Sequence, residues 1–170
     1  MDRVRCARCG KEHDLQGVEP SYGLPDAYYD VPALEREHRT SFGSDSGRIR
    51  DSGDTQRRNF LRAVLPVPIR GGGDVCWGVW IEVGAWAWTR ARELWDAVDQ
   101  DNEPAFEGVL ANQLRCYEAT LGLPGVVQLT GPSTAPRFTF DEGLTHPLAQ
   151  EQREGVYPER ALEWATAHVH

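Results

Sequence analysis

Two short stretches of this 170-residue chain carry residue types that do chemistry. The first is CARCGKEH, where Cys6 and Cys9 are separated by two residues and His13 follows. Two thiolates at that spacing can face one ion if the chain turns tightly, and Gly10 permits the turn. His13 can swing back as a third ligand, through nitrogen. Arg3, Arg5, Arg8 and Lys11 would offset the negative charge of a thiolate–zinc centre. The expectation is a structural zinc held by Cys6, Cys9 and His13. Its fourth position would go to His38, His146, Cys76, Cys116 or a water. A zinc ribbon would bring a second CxxC, and the sequence has none. Free thiols are the alternative reading. A redox pair is the third, but a redox CxxC opens a helix after a strand, and only five residues precede Cys6.

The second stretch is THPLAQEQREGV, residues 145–156. A histidine beside a carboxylate can act as acid and base, so His146 and Glu151 would serve a small hydrolase or transferase. The competing reading is structural. Thr145 and His146 cap a helix, while Gln152 and Arg153 tie its end to a sheet. No nucleophile with a companion base is evident, and no GxSxG, phosphate-binding loop, dinucleotide fingerprint or HExxH occurs. Arg48, Arg50, Arg57, Arg58 and Arg62 form one basic stretch, either a solvated loop or a local anion contact. Trp77, Trp80, Trp86, Trp88 and Trp95 crowd together as core packing or as the walls of a groove.

The elements that position these residues follow from periodicity. In NFLRAVLPVPI the odd positions Leu61, Ala63, Leu65, Val67 and Ile69 share one strand face. Val75, Trp77, Val79, Ile81 and Val83 do the same in VCWGVWIEV, and the RGGGD between them predicts an antiparallel hairpin. Trp80 lies on the opposite face, so both faces of the second strand need cover. Pro66 and Pro68 lack N–H groups on one side of the first strand, which predicts an edge or a gap in pairing there. Residues 33–41 predict two helical turns, 86–98 a helix, and 104–123 a helix weakened by Gly108 and Gly122. GVVQLT and PRFTFD predict a second hairpin. Two short helices finish the chain, one from Thr145 to Gly155 and one opening at Pro158. Strands and helices in separate groups give an α+β fold, an antiparallel sheet with flanking helices and an N-terminal CxxC knuckle.

Composition bounds the rest. The chain reads as one domain, residues 1–170, with a zinc-knuckle-like element at 1–20 and a mobile, polar loop at 43–58. The net charge is −8, and nearly all of it falls in residues 86–170, which hold 13 acids against 6 arginines. Such a surface repels phosphate, so no nucleic-acid partner is expected, and a basic protein partner is. No apolar run is long enough for a membrane span or a signal core, so the expected location is the cytoplasm.

The motifs CARCGKEH, SYGLPDAYY, GSD, LPVPI, WGVWIEV, LANQL, YEATLGL and THPLAQEQREGV occur in one order along nearly the whole chain. In that order they resemble an uncharacterised bacterial family, domain of unknown function 2199. The resemblance implies no activity. It implies further cysteines where this chain has Gly47 and Val64, so the fourth position of a zinc site would be filled from elsewhere or left vacant. The reading is a non-catalytic binding or interaction module.

Overall fold

The structure is a computed structural model that describes residues 3–5, 12–14, 20–53 and 55–169. Two strands, β1 (Arg3–Arg5) and β2 (Glu12–Asp14), form a separate antiparallel pair. The helices α1 (Asp26–Asp30) and α2 (Arg36–Arg39) lead into the main sheet. That sheet runs β3 (Thr40–Phe42), β4 (Ser46–Arg50), β5 (Arg57–Pro68), β6 (Asp74–Val83), β7 (Phe106–Leu110), β8 (Pro124–Gln128) and β9 (Arg137–Phe140), in sequence order. Helix α3 (Ala85–Glu93) follows β6, while α4 (Pro147–Glu154) and α5 (Pro158–Val169) close the chain.

The hairpin of β5 and β6 organises the fold. Leu61 faces Ile81 and Leu65 faces Trp77, so the two alternating apolar sets fall on the same side. Its turn places Gly71, Gly72 and Gly73 at φ of 104°, 132° and 79°, a run that only glycine adopts without strain. The odd-numbered side chains enter the main core with Trp88, Phe138, Leu148 and Trp164. Phe60 and Trp80 point the other way, into a second core with Ala27, Val31, Ile49 and Ala111. Both faces of β6 are therefore covered, as the position of Trp80 predicts.

The sheet is not simply antiparallel. β9 returns to β5 in parallel at Val64 and Arg137, which closes β5 to β9 into a five-stranded barrel. This contact ends where the prolines begin. Arg62 N–H and Val64 N–H donate on this side of β5, to Asp45 and Pro136 carbonyls, so Pro66 and Pro68 would have donated there next. In their place the Gln152 amide donates to the Pro66 carbonyl at 3.3 Å, and Val156 N–H donates to the Pro68 carbonyl at 2.8 Å. The predicted gap exists, and α4 fills it.

Three expectations are corrected. Residues 104–123 are strand β7 followed by irregular chain, not a helix. Gly108 is pressed against β6, where a Cβ would sit 2.6 Å from Ile81, and Cys116 and Ala119 adopt positive φ that a helix forbids. The stretch 43–58, read as a loop, contains β4, which pairs with β3 on one side and β5 on the other. Helix α3 stops at Glu93, short of the expected Val98, and one turn of 3-10 helix follows at Gln100–Asn102. No described helix is long and apolar enough to cross a membrane.

Gly125 gives a direct check on the barrel. A Cβ there would lie 2.3 Å from the Thr139 carbonyl oxygen and 2.6 Å from the Phe138 ring, both fixed in β9. Gly125→Ala is expected to cost about 2 kcal/mol by overpacking and lower Tm by about 6 °C. Gly23→Ala, with open space around its Cβ, is the control and should melt within about 1 °C of wild type. Calorimetry reads both.

Candidate functional site

A cleft of about 420 Å³ opens between the β3–β4 hairpin and the C-terminal end of α3. Its construction begins with alternation in SGRIR. Gly47 and Ile49 are buried, so Ser46, Arg48 and Arg50 face the opposite way, into the cleft. Register then adds a neighbour: β4 places Arg50 opposite Arg57, and Arg48 opposite Asn59. From the other wall, α3 contributes Trp88 and Arg92. The helix leaves β6 at Gly84 and buries Ala87, Trp88 and Ala91 in the main core, so Arg92 emerges at the rim.

Trp88 holds two of these cations. The Arg48 guanidinium lies 3.6 Å from the centre of its ring and that of Arg92 lies 4.5 Å away, both cation–π distances. Arg48 also donates from Nε to the Asn59 side-chain oxygen at 2.9 Å, a neutral acceptor. Arg50 donates to the His38 carbonyl at 3.0 Å, again neutral. Arg39, which also lines the cleft, has a carboxylate partner, Glu35 at 2.6 Å. Among the described residues no carboxylate pairs with Arg48, Arg50, Arg57 or Arg92. Burial, and then the positive charges of Arg57 and Arg92, press the Arg48 pKa below its usual value. Thr40, Ser41 and Ser46 also line it; the Thr40 hydroxyl donates to the Arg36 carbonyl at 2.7 Å, whereas those of Ser41 and Ser46 can donate or accept.

The basic stretch seen in the sequence is thereby divided. Arg48, Arg50 and Arg57 enter the cleft, whereas Arg58 makes a bidentate pair with Glu82 at 2.9 and 2.7 Å. Arg62 turns to the Tyr22 carbonyl and the Trp80 ring. Arg39 and Arg92, far from that stretch in sequence, complete the site. The period-two pattern of SGRIR was the available signal for it.

The second candidate, around His146, is spent on structure. Leu148 N–H donates to His146 Nδ1 at 3.1 Å, capping α4 one residue later than expected at Thr145. On the other side of the ring, Nε2 donates to the Glu118 carbonyl at 2.6 Å. Glu151 accepts from the Tyr117 hydroxyl and from Arg160 Nε. Burial, then that hydrogen bond and the Glu151 charge, drive the Tyr117 phenol far above its usual pKa, so it stays a donor. Burial alone would lower Arg160, but its hydrogen bond to Glu163 and the Glu151 charge raise it. Gln152 accepts from Phe140 N–H at 2.9 Å and donates to the Phe138 carbonyl at 3.0 Å, while Arg153 donates to the Leu144 carbonyl. The helix is a clamp between strands, as the structural reading of THPLAQEQREGV holds.

Cys6 and Cys9 lie outside the described residues, and His13 is described only as backbone, paired with Val4. Cys76 is half-buried on β6 and Cys116 is exposed. No group of three His, Cys, Asp or Glu suited to a metal occurs among the described residues.

The structure is thus a five-stranded barrel with a cationic surface cleft and a helix clamp whose polar side chains are engaged. The chain belongs to the bacterial family described as an uncharacterized protein conserved in bacteria, domain of unknown function 2199, which matches residues 5–156. No curated protein and no solved structure matches it.

The clamp makes a stability prediction. Gln152→Leu would strand the Phe140 N–H and leave the Phe138 and Pro66 carbonyls without this donor, at a cost of about 3 kcal/mol. Arg153→Ala loses one exposed hydrogen bond and is expected to cost under about 1 kcal/mol. Urea unfolding should show the difference as a shift in midpoint at constant slope.

Proposed function

We propose that this protein is a non-catalytic, cytoplasmic binding module whose arginine cleft takes a small anionic ligand. The observation that supports it is the crowding of Arg48, Arg50, Arg57 and Arg92 with no carboxylate partner among the described residues. Arg50 and Arg57 sit directly across a strand pair, where like charges are destabilising. A bound anion removes that cost, and guanidinium forks match phosphate or carboxylate oxygens in pairs. The hydrolase or transferase alternative has less support, because both nitrogens of His146 and both oxygens of Glu151 are engaged.

Calorimetric titration with pyrophosphate at low salt tests the cleft. Binding is expected, and Arg57→Ala or Arg92→Ala should each weaken it about tenfold or more, since a charged hydrogen bond contributes about 1.5–3 kcal/mol. Added salt should weaken it further. Absence of heat and of thermal stabilisation at millimolar pyrophosphate would sink the proposal.

The basic protein partner has its own support in the acidic C-terminal half, where Glu107 and Asp141 border a shallow groove between β7 and β8. Recovery of a basic protein at low ionic strength, lost on Glu107→Lys, would support it. Recovery unaltered by that reversal would remove this groove as the contact.

A structural zinc at Cys6, Cys9 and His13 is a further part of the proposal. The β1–β2 pairing joins Arg5 to Glu12, and the sequence between them holds the CxxC. Protein purified without chelator is expected to carry close to one equivalent of zinc. Less than about a tenth of an equivalent, with both thiols titrating freely, would overturn it.

A further inference from the structure

We propose, resting on the anion-binding reading above, that the ligand is a nucleoside diphosphate or triphosphate lying along one groove from Arg48 to Trp95. The argument begins with charge. Four guanidiniums without carboxylate partners among the described residues are poorly matched by a single carboxylate. Two linked phosphates concentrate several negative charges and many acceptor oxygens in a short span. Ser46 supplies a neutral donor beside them.

The groove then continues and changes sign. A second cavity, about 330 Å³, shares Gly43, Ser46 and Arg92 with the first. Its other walls are Ser44, Asp45, Trp95 and Asp96. Carboxylates repel further phosphates, so a long polyphosphate or a nucleic-acid strand fits this half badly. They accept hydrogen bonds well, and the ribose hydroxyls and exocyclic amines of a nucleoside are donors. Trp95 is half-exposed and lines this cavity. Its ring can stack on a base. Trp88 plays a different part: at 7% exposure and overlain by two guanidiniums, it anchors the phosphate end and offers no face. Both cavities are in the size range of small-ligand sites.

Calorimetric titration of the full-length chain with ADP, GDP, pyrophosphate and adenosine tests this. One of the nucleotides is expected to bind about tenfold tighter than pyrophosphate, the increment of one stacked base, and adenosine weakly. Trp95→Ala and, separately, Asp45→Asn should each reduce that nucleotide-to-pyrophosphate ratio towards one. Melting curves show whether each variant is folded. If Trp95→Ala is not, the exposed Asp45 decides alone. Pyrophosphate binding as tightly as both nucleotides overturns the nucleotide assignment while the anion reading stands. No binding by any phosphate compound overturns both. A single-stranded oligonucleotide binding more tightly than the mononucleotides overturns it in favour of a nucleic-acid surface.

Discussion

Pro66 and Pro68 take two donors from one side of β5, and the fold is arranged around that loss. β5 is the only strand of the described sheet with three neighbours: β4 along its first half, β9 at Val64 and β6 along most of its length. Beyond Val64 a continuing β9 would meet carbonyls without matching N–H groups, so the ladder stops there. The carbonyls of Pro66 and Pro68 still need partners, because buried acceptors left bare are costly. Gln152 and Val156 provide them. That requirement fixes where α4 lies, and α4 in turn carries His146 to Glu118 and Glu151 to Tyr117. Residues with the look of an acid–base pair are in place because a strand with two prolines must be closed by something other than a strand.

The same strand determines the cleft from its other end. β4 can pair with the first half of β5 because β9 leaves it free, and the register of that pairing sets Arg50 against Arg57. The β5–β6 hairpin then directs α3 across the barrel, with Trp88 in the main core and its ring beneath Arg48. The barrel closure and the cationic cleft thus share one cause. Shortening β5 would remove both.

What could be read from the sequence follows from the range of each signal. Alternation over ten residues made β5 and β6 legible, with the glycine turn, the second face at Trp80 and the proline gap. The bounds of α4 were legible to within a residue, because Gly155 and Pro158 punctuate them. Helix-like spacing misled at residues 104–123, since Phe106 and Leu110 also fit alternate positions of a strand. The polar network about Asn112 that replaces helix there rests on long-range partners such as Leu24 and Trp80. Barrel closure depends on one parallel bridge between Val64 and Arg137, which leaves no periodic trace. The cleft was hidden for a related reason. Its arginines are spread from 39 to 92 and meet only through strand register and the exit angle of α3.

Charge is the remaining argument. A chain of net charge −8 has enough carboxylates to pair its arginines, and at several places it does so: Arg58 with Glu82, Arg90 with Glu103 and Arg160 with Glu151. In the cleft the partners are an aromatic ring, an amide oxygen and backbone carbonyls. These groups orient a guanidinium without neutralising it. A carboxylate in those places would stabilise the empty protein and compete with an incoming anion for the same donors. Leaving the charges oriented but unmatched raises the energy of the free state, and a ligand anion recovers that energy on binding. The crowding of like charges costs stability in the absence of an anion, which sets this cluster apart from a paired arginine such as Arg58.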